Sequence, residues 1–333
     1  MPAEIKTITD LEACIGVPSL GIKMKVIDHI DAQASDWISA SSLAFLGSQT
    51  SNGPRVTLVG GEPGFAAIND DGNITLPLAS IDHSDGLAAG QGAGVLCLAK
   101  GTGETLRANG TIASITDTHI QIAVEECFVH CAKALIRSDF WQGNEPTSLD
   151  DTDAFLNQAR FLAYVTMDKN GRIDISPKGD PAGYLLRYSD DQLLLPERPG
   201  NKLAFGFRNI LEQPLVAGLA IIPGQANVVH FVGRATLKTD EADENGFAIE
   251  GKVPKLLTQI SDVESNFSPS SALQKAQPWS ESFAAPDIDP AAAIVAHIKL
   301  NKQSGVQATM VRMAVNRGLV GKGLKENYKE ELY

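Results

Sequence analysis

Two stretches concentrate side chains able to grip an anion. Ile175–Tyr184 reads ISPKGDPAGY and Leu195–Asn209 reads LPERPGNKLAFGFRN. Together they offer Ser176, Lys178, Pro196, Arg198, Asn201 and Lys202 near expected strand ends and the start of a short helix. Asn201 is the expected N-cap of a helix over Lys202–Leu211, ended by Pro214. A helix N-terminus presents free N–H groups and partial positive charge. An arginine adds a two-bond fork for a phosphate and a lysine a mobile point charge. Asn209 lies on the same expected helix. Taken singly, each of these residues also fits an ordinary solvated turn.

A second motif lies earlier, in VEECFVHCAKALIRSDFW (Val124–Trp141). Read as helical, it places His130, Lys133 and Arg137 on successive turns and Cys127 and Cys131 on one face. A solvated basic face is the alternative. His130 is a candidate proton donor and equally a core or surface histidine. Two cysteines and one histidine without a fourth ligand do not make a zinc site, so no metal is expected. There is no GxSxG nucleophile motif and no GxGxxG strand–helix opening, so a nicotinamide would bind only in passing.

These motifs sit in a duplicated framework. Leu43–Pro63 answers Phe161–Pro181, with Gly53 and Pro63 matched by Gly171 and Pro181. Pro77 answers Pro196, Gly94 answers Gly218, and Val124–Trp141 answers Val263–Trp279. Each unit alternates short β-branched and aromatic runs with NG, DG and Gly-Pro turns, as in FLAYVTMDKNGRIDIS. Val228–Leu237 is another strand, whereas Gly251–Ile260 and Asp289–Ser304 read as helices, the latter with Asp289 as N-cap and Pro290 first. Many short antiparallel strands with few helices predict a mainly β protein of two small barrels with peripheral helices. The expected units are 1–141, a linker over 142–153, 154–285, and a helical extension over 286–333.

The copies differ where chemistry would sit. In place of the basic set, Leu76–Gly94 carries Asp82, His83 and Asp85. Two carboxylates at a helix N-terminus would repel a phosphate, so the first copy is read as having lost the anion site. The motif with His130, Lys133 and Arg137 is intact only in the first copy, so the two halves are expected to pack as an intramolecular pseudo-dimer with one composite site. In the extension, Met310, Met313, Val315 and Leu319 have helical spacing. The expectation is docking onto the chain's own barrel, with partner binding as the alternative.

SPKGDPAGY, LPERPGNK…RNILEQP and PG…VGRA together resemble the pyridoxamine 5′-phosphate oxidase-related, FMN-binding split-barrel family, with good coverage over about 154–235 and 124–141. The resemblance implies a Greek-key split barrel in each half and FMN at the interface between them. It implies FMN contacts from Ser176, Lys178, Pro196, Arg198, Asn201 and Lys202, with Asn209 as a further member. The partner barrel would complete the pocket through His130, Lys133 and Arg137. The implied activity is FMN-dependent oxidation or reduction of a small molecule, with NAD(P)H as donor. The alternative is a non-catalytic flavin- or haem-binding sensor, with His130 and Cys131 as candidate axial ligands.

The bulk numbers fit this reading. The 333 residues carry 28 Lys+Arg against 40 Asp+Glu, a net −12. That balance excludes a nucleic-acid or anionic-membrane surface as the main partner but not one small phosphate in a local basic pocket. Four cysteines without CxxC and an N-terminus without an apolar run predict a reduced, cytoplasmic chain without a signal peptide. It is expected to be a monomeric pseudo-dimer or a homodimer.

Overall fold

The computed structural model describes residues 3–143, 149–281 and 286–333. Residues 144–148 of the expected linker and 282–285 at the end of the second unit lie outside the described residues. In chain order the strands are β1 (Ala3–Ile5), β2 (Leu43–Thr50), β3 (Gly53–Gly60), β4 (Ala67–Ile68), β5 (Ile74–Pro77), β6 (Gly92–Leu98), β7 (Thr105–Ile115) and β8 (His119–His130). They continue as β9 (Phe161–Met167), β10 (Ile173–Gly179), β11 (Arg187–Ser189), β12 (Gln192–Pro196), β13 (Leu215–Ile221), β14 (Asn227–Thr239) and β15 (Leu257–Pro269). The helices are α1 (Ile8–Ile15), α2 (Leu20–Met24), α3 (Ala32–Ala40), α4 (Lys133–Arg137), α5 (Thr152–Gln158), α6 (Phe205–Glu212), α7 (Glu241–Gly246), α8 (Ser271–Ala276), α9 (Pro290–Leu300), α10 (Val306–Ala314) and α11 (Arg317–Glu330).

The strands form two antiparallel sheets, in the orders β3-β2-β6-β7-β8-β5-β4 and β10-β9-β13-β14-β15-β12-β11. Strand for strand the orders correspond, and each sheet curls into a split β-barrel. The N-terminal strand β1 crosses over to the second sheet, Ala3 facing Thr239.

Alternation along the strands builds three cores rather than two. On β2, Ala44 and Leu46 point into the first barrel, while Leu43 and Phe45 point out of it. On β9, Leu162 and Tyr164 fill the second barrel, and Phe161, Ala163 and Val165 face the other way. The outward sets meet and form a third core between the halves. That is why these strands are apolar on both faces. The halves also touch reciprocally at two glycines. A Cβ on Gly60 would stand 2.1 Å from the Ala272 carbonyl oxygen of α8, and one on Gly179 would stand 2.0 Å from the Ala134 oxygen of α4.

Three helix expectations are corrected. Val124–His130 is the end of strand β8, paired with β7, and helix begins only at Lys133. The apolar residues of CFV read there as a two-sided strand, so Cys127 and Cys131 do not share a helical face. Gly251–Ile260 is not a helix: strand β15 starts at Leu257, after Pro254, a residue that cannot donate to a helical ladder. The C-terminal segment is two helices broken at Val315. Its Met310, Met313 and Leu319 face solvent, while Ala308, Val311 and Val315 pack with Met24 and Ile298. Asp289 does cap α9, accepting from Ala292 N at 3.0 Å. Among the described residues no helix is long and apolar enough to cross a membrane.

Candidate functional site

One cleft gathers the chemistry-bearing residues of both halves. The second half supplies β10 with Ser176, Lys178 and Asp180 just past its end, the loop Pro196–Ala204, and the first turns of α6. The first half supplies Arg107 from β7, Phe128 and His130 from β8, and Cys131, Lys133 and Arg137 around α4. Its free volume, open mouth included, is about 890 Å³. Ser176, Lys178, Pro196, Arg198, Asn201, Lys202, His130, Lys133 and Arg137 all line it. Asn209 does not. It sits deeper on α6 and donates to Thr166 Oγ1 at 3.1 Å.

The loop before α6 differs from the expected cap. The helix starts at Phe205, and Asn201 Oδ1 accepts from Leu203 N at 2.9 Å instead of capping a helix. Lys202 and Ala204 both adopt left-handed backbone, at φ of 59° and 58°. Two such non-glycine residues in three positions cost about 1–2 kcal/mol each, and strain of this kind clusters at ligand sites.

The cleft's charges are held by short pairs. Lys178 Nζ lies 2.7 Å from Glu197 Oε2 and 5.0 Å above the Phe207 ring centroid. Arg198 Nε donates to Asp180 Oδ2 at 2.8 Å. Burial lifts the Asp180 carboxyl to about 6 even though Arg198 pulls it down. Arg107 pairs with buried Asp174 and stacks on Phe128 and Phe205, its Cζ 4.6 Å and 5.6 Å from their centroids. Desolvation, then the charges of Arg107, Lys25 and Lys178, push His130 well below the usual histidine range, so it is an uncharged imidazole at neutral pH.

Six basic and three acidic side chains line the cleft, a local positive excess in a chain of net charge −12. Five of its residues carry a buried polar atom without a protein partner: Arg198 Nη2, Arg107 Nε, Tyr164 Oη, His130 Nδ1 and Asp180 Oδ1. Buried polar groups are nearly always bonded. A cluster of orphans around one cleft, mostly donors, suits an anionic ligand. Arg107, Asp174, Asp180 and Tyr164 were not singled out from the sequence. Arg107, Asp174 and Tyr164 read there as ordinary strand residues. Asp180 lies inside the quoted SPKGDP, but its pairing with Arg198 has no local sequence signal.

Residues 149–291 match the family model described as pyridoxamine 5′-phosphate oxidase. This segment is a pyridoxamine 5′-phosphate oxidase-family domain. None of the curated proteins matches the chain. Solved structures similar to parts of it include HupZ of Group A Streptococcus, at 21% identity and TM-score 0.30, covering 38% of this chain and 98% of that one. An F420 reductase matches at 12% identity and TM-score 0.28, over 36% and 98% of the two chains. HutZ, the haem storage protein of Vibrio cholerae, matches at 12% identity and TM-score 0.25, over 36% and 93%.

The pseudo-symmetric position on the other side is built differently. There, among the described residues, no helix matches α6, and no helix begins at Asp82–Asp85, which corrects that expectation. Asp82 instead reaches across to α8. Its Oδ1 accepts from Ala272 N at 2.7 Å and Ser271 Oγ at 2.8 Å, and its Oδ2 from Ser270 Oγ at 2.5 Å. Asp85 lies 3.5 Å from Arg55. A protein carboxylate thus sits against the helix that corresponds to α4.

Proposed function

We propose that the composite cleft holds FMN and that the chain is an FMN-dependent oxidoreductase acting on a small molecule, with NAD(P)H as electron donor. The observation that carries this reading is Arg198 Nη2, a buried guanidinium donor without a protein partner, beside Lys178 at the mouth of a strained loop. Arg198, Ser176, Lys178 and the Pro196–Lys202 backbone would hold the phosphate end. Phe205, half-buried at the start of α6, would border the ring end. When bound, the flavin supplies the two-electron chemistry.

The chain's own residues bind, orient and set the field. Asp180 fixes the Arg198 fork through Nε and leaves Nη2 for the ligand. Glu197 and the Phe207 face fix Lys178. Arg107, locked between two rings and Asp174, keeps a positive charge in a site of low dielectric, where it stabilises negative charge more strongly than in water. His130, being uncharged, can give or take one hydrogen bond at Nδ1.

The test is direct. The purified protein should bind FMN and show a flavin band near ~450 nm that NAD(P)H bleaches. R198K, which keeps a charge beside Asp180 but loses the fork, should weaken FMN by about tenfold while leaving riboflavin unchanged. Failure of the wild type to bind FMN sinks the reading. A haem protein is the second reading, favoured by the uncharged His130 with a free Nδ1 in the cleft. A Soret band lost in H130A would replace the flavin reading with that one.

A further inference from the structure

The cleft's anion end is covered from outside by residues Tyr328–Tyr333. Tyr328 Oη donates to Glu104 Oε1 at 2.7 Å and accepts from Ala132 N at 3.1 Å. Glu331 stands 3.8 Å from Lys133 Nζ, and the Leu332 carbonyl accepts from Arg137 Nε at 2.6 Å. The Tyr333 ring then lies over both arginines, its centroid 5.7 Å from Arg137 Cζ and 5.8 Å from Arg198 Cζ. These contacts hold the segment at four points.

Tyr333 does not line the cleft. It lines a second cavity of about 1370 Å³, mouth included, on the far side of the loop. Glu197, Arg198, Pro199, Gly200 and Lys202 wall both cavities, so the loop is the partition between them. The second cavity also presents Lys252 and Lys255, with Glu330 and Glu331 among them. A ligand whose anion rests on Arg198 and continues past it would have to enter this space, where the Tyr333 ring stands.

We propose that Tyr333 is a specificity-determining residue. It admits a terminal anionic group, such as a phosphate monoester, and rejects a diphosphate that continues into a dinucleotide. The inference rests on the reading of the cleft as an FMN site. The physics is exclusion: a ring fixed between two cations must be displaced before a longer ligand fits.

The experiment measures FMN and FAD binding to the full chain by flavin fluorescence for the wild type, Y333A and Y333F. The wild type should prefer FMN by at least about tenfold, and Y333A should narrow that ratio by about tenfold through tighter FAD binding. Y333F should behave like the wild type, because the ring alone does the excluding. Equal affinity of the wild type for both flavins overturns the inference, as does an unchanged ratio in Y333A. Equal loss of both flavins in Y333A overturns it too, by marking the ring as a mere prop for the arginines. A wild type that binds neither flavin is a different result, one that removes the FMN reading itself and the inference with it.

Discussion

Replacing Asp82 by alanine removes three acceptor contacts at the start of α8. One is to a backbone N–H of the first turn, the usual N-cap interaction, worth about 1 kcal/mol. A second is to the hydroxyl of Ser270, which is fully buried and itself caps Leu273 N at 3.0 Å. A hydrogen bond to a charged acceptor contributes about 1.5–3 kcal/mol. The third, to exposed Ser271, adds little. The loss should total about 3 kcal/mol. For 333 residues unfolding with about 2.1 cal/mol/K each, that lowers the melting temperature by about 4 °C. D82N, which keeps one oxygen, should lose about half as much. Calorimetry on the three proteins measures this, with FMN affinity unchanged throughout because Asp82 is remote from the cleft. A D82A shift under about 1 °C would mean that Asp82 is an ordinary surface carboxylate and that the first half's pseudo-site is not filled by it.

Other perturbations separate structure from site. Lys25 is buried, and desolvation lowers it to about 8. Its folded pKa lies below its unfolded one, so its contribution to stability is present above about 10.5 and lost as pH falls through 8. K25M should therefore raise stability at pH 7 by about 1–3 kcal/mol and flatten the pH 8–10.5 slope seen in urea titrations. Asp180 has the opposite linkage. Its folded pKa of about 6 exceeds the ordinary 3.8, so its contribution is present below about 3.8 and lost as pH rises through 6. Unfolding at pH 4 and pH 7 should show D180N with less of this loss than the wild type, by about 2–3 kcal/mol. G60A and G179A should each cost at least about 2 kcal/mol, because each adds a Cβ against a facing carbonyl. Only G179A, at the cleft, should also weaken FMN, so equal binding losses in the two variants would contradict the assigned position of the site.

Much of the architecture was legible because it is written twice. The hairpin β9–β10, with its NG turn, and the Gly and Pro spacings survive in both halves, and those are the residues that turns require. What the sequence hid were choices between periods and between distant partners. CFVH carries apolar residues at spacings that suit either helix or strand, and pairing with β7 decides for strand. Asn201 precedes a plausible helical run, but the left-handed Lys202 and Ala204 postpone the helix to Phe205. The contact of Asp82 with α8 spans 190 positions, and no local pattern announces it. The same holds for Tyr333 on Arg137 and Arg198. Arg107 reads as a strand residue until the fold sets it between two phenyl rings.

The covalent joining of the two halves has a consequence of its own. In an assembly of two identical chains, any carboxylate placed at one pocket appears at its twin, so a pocket cannot be closed on one side and kept on the other. A single chain carrying both halves escapes that coupling. Asp82 can fill one position while Arg198 holds the other open, and each can change without dragging its counterpart along. The halves also meet at a local concentration set by their linkage rather than by how much protein is present. Dilution therefore does not part the two sides of the cleft, which residues of both halves line.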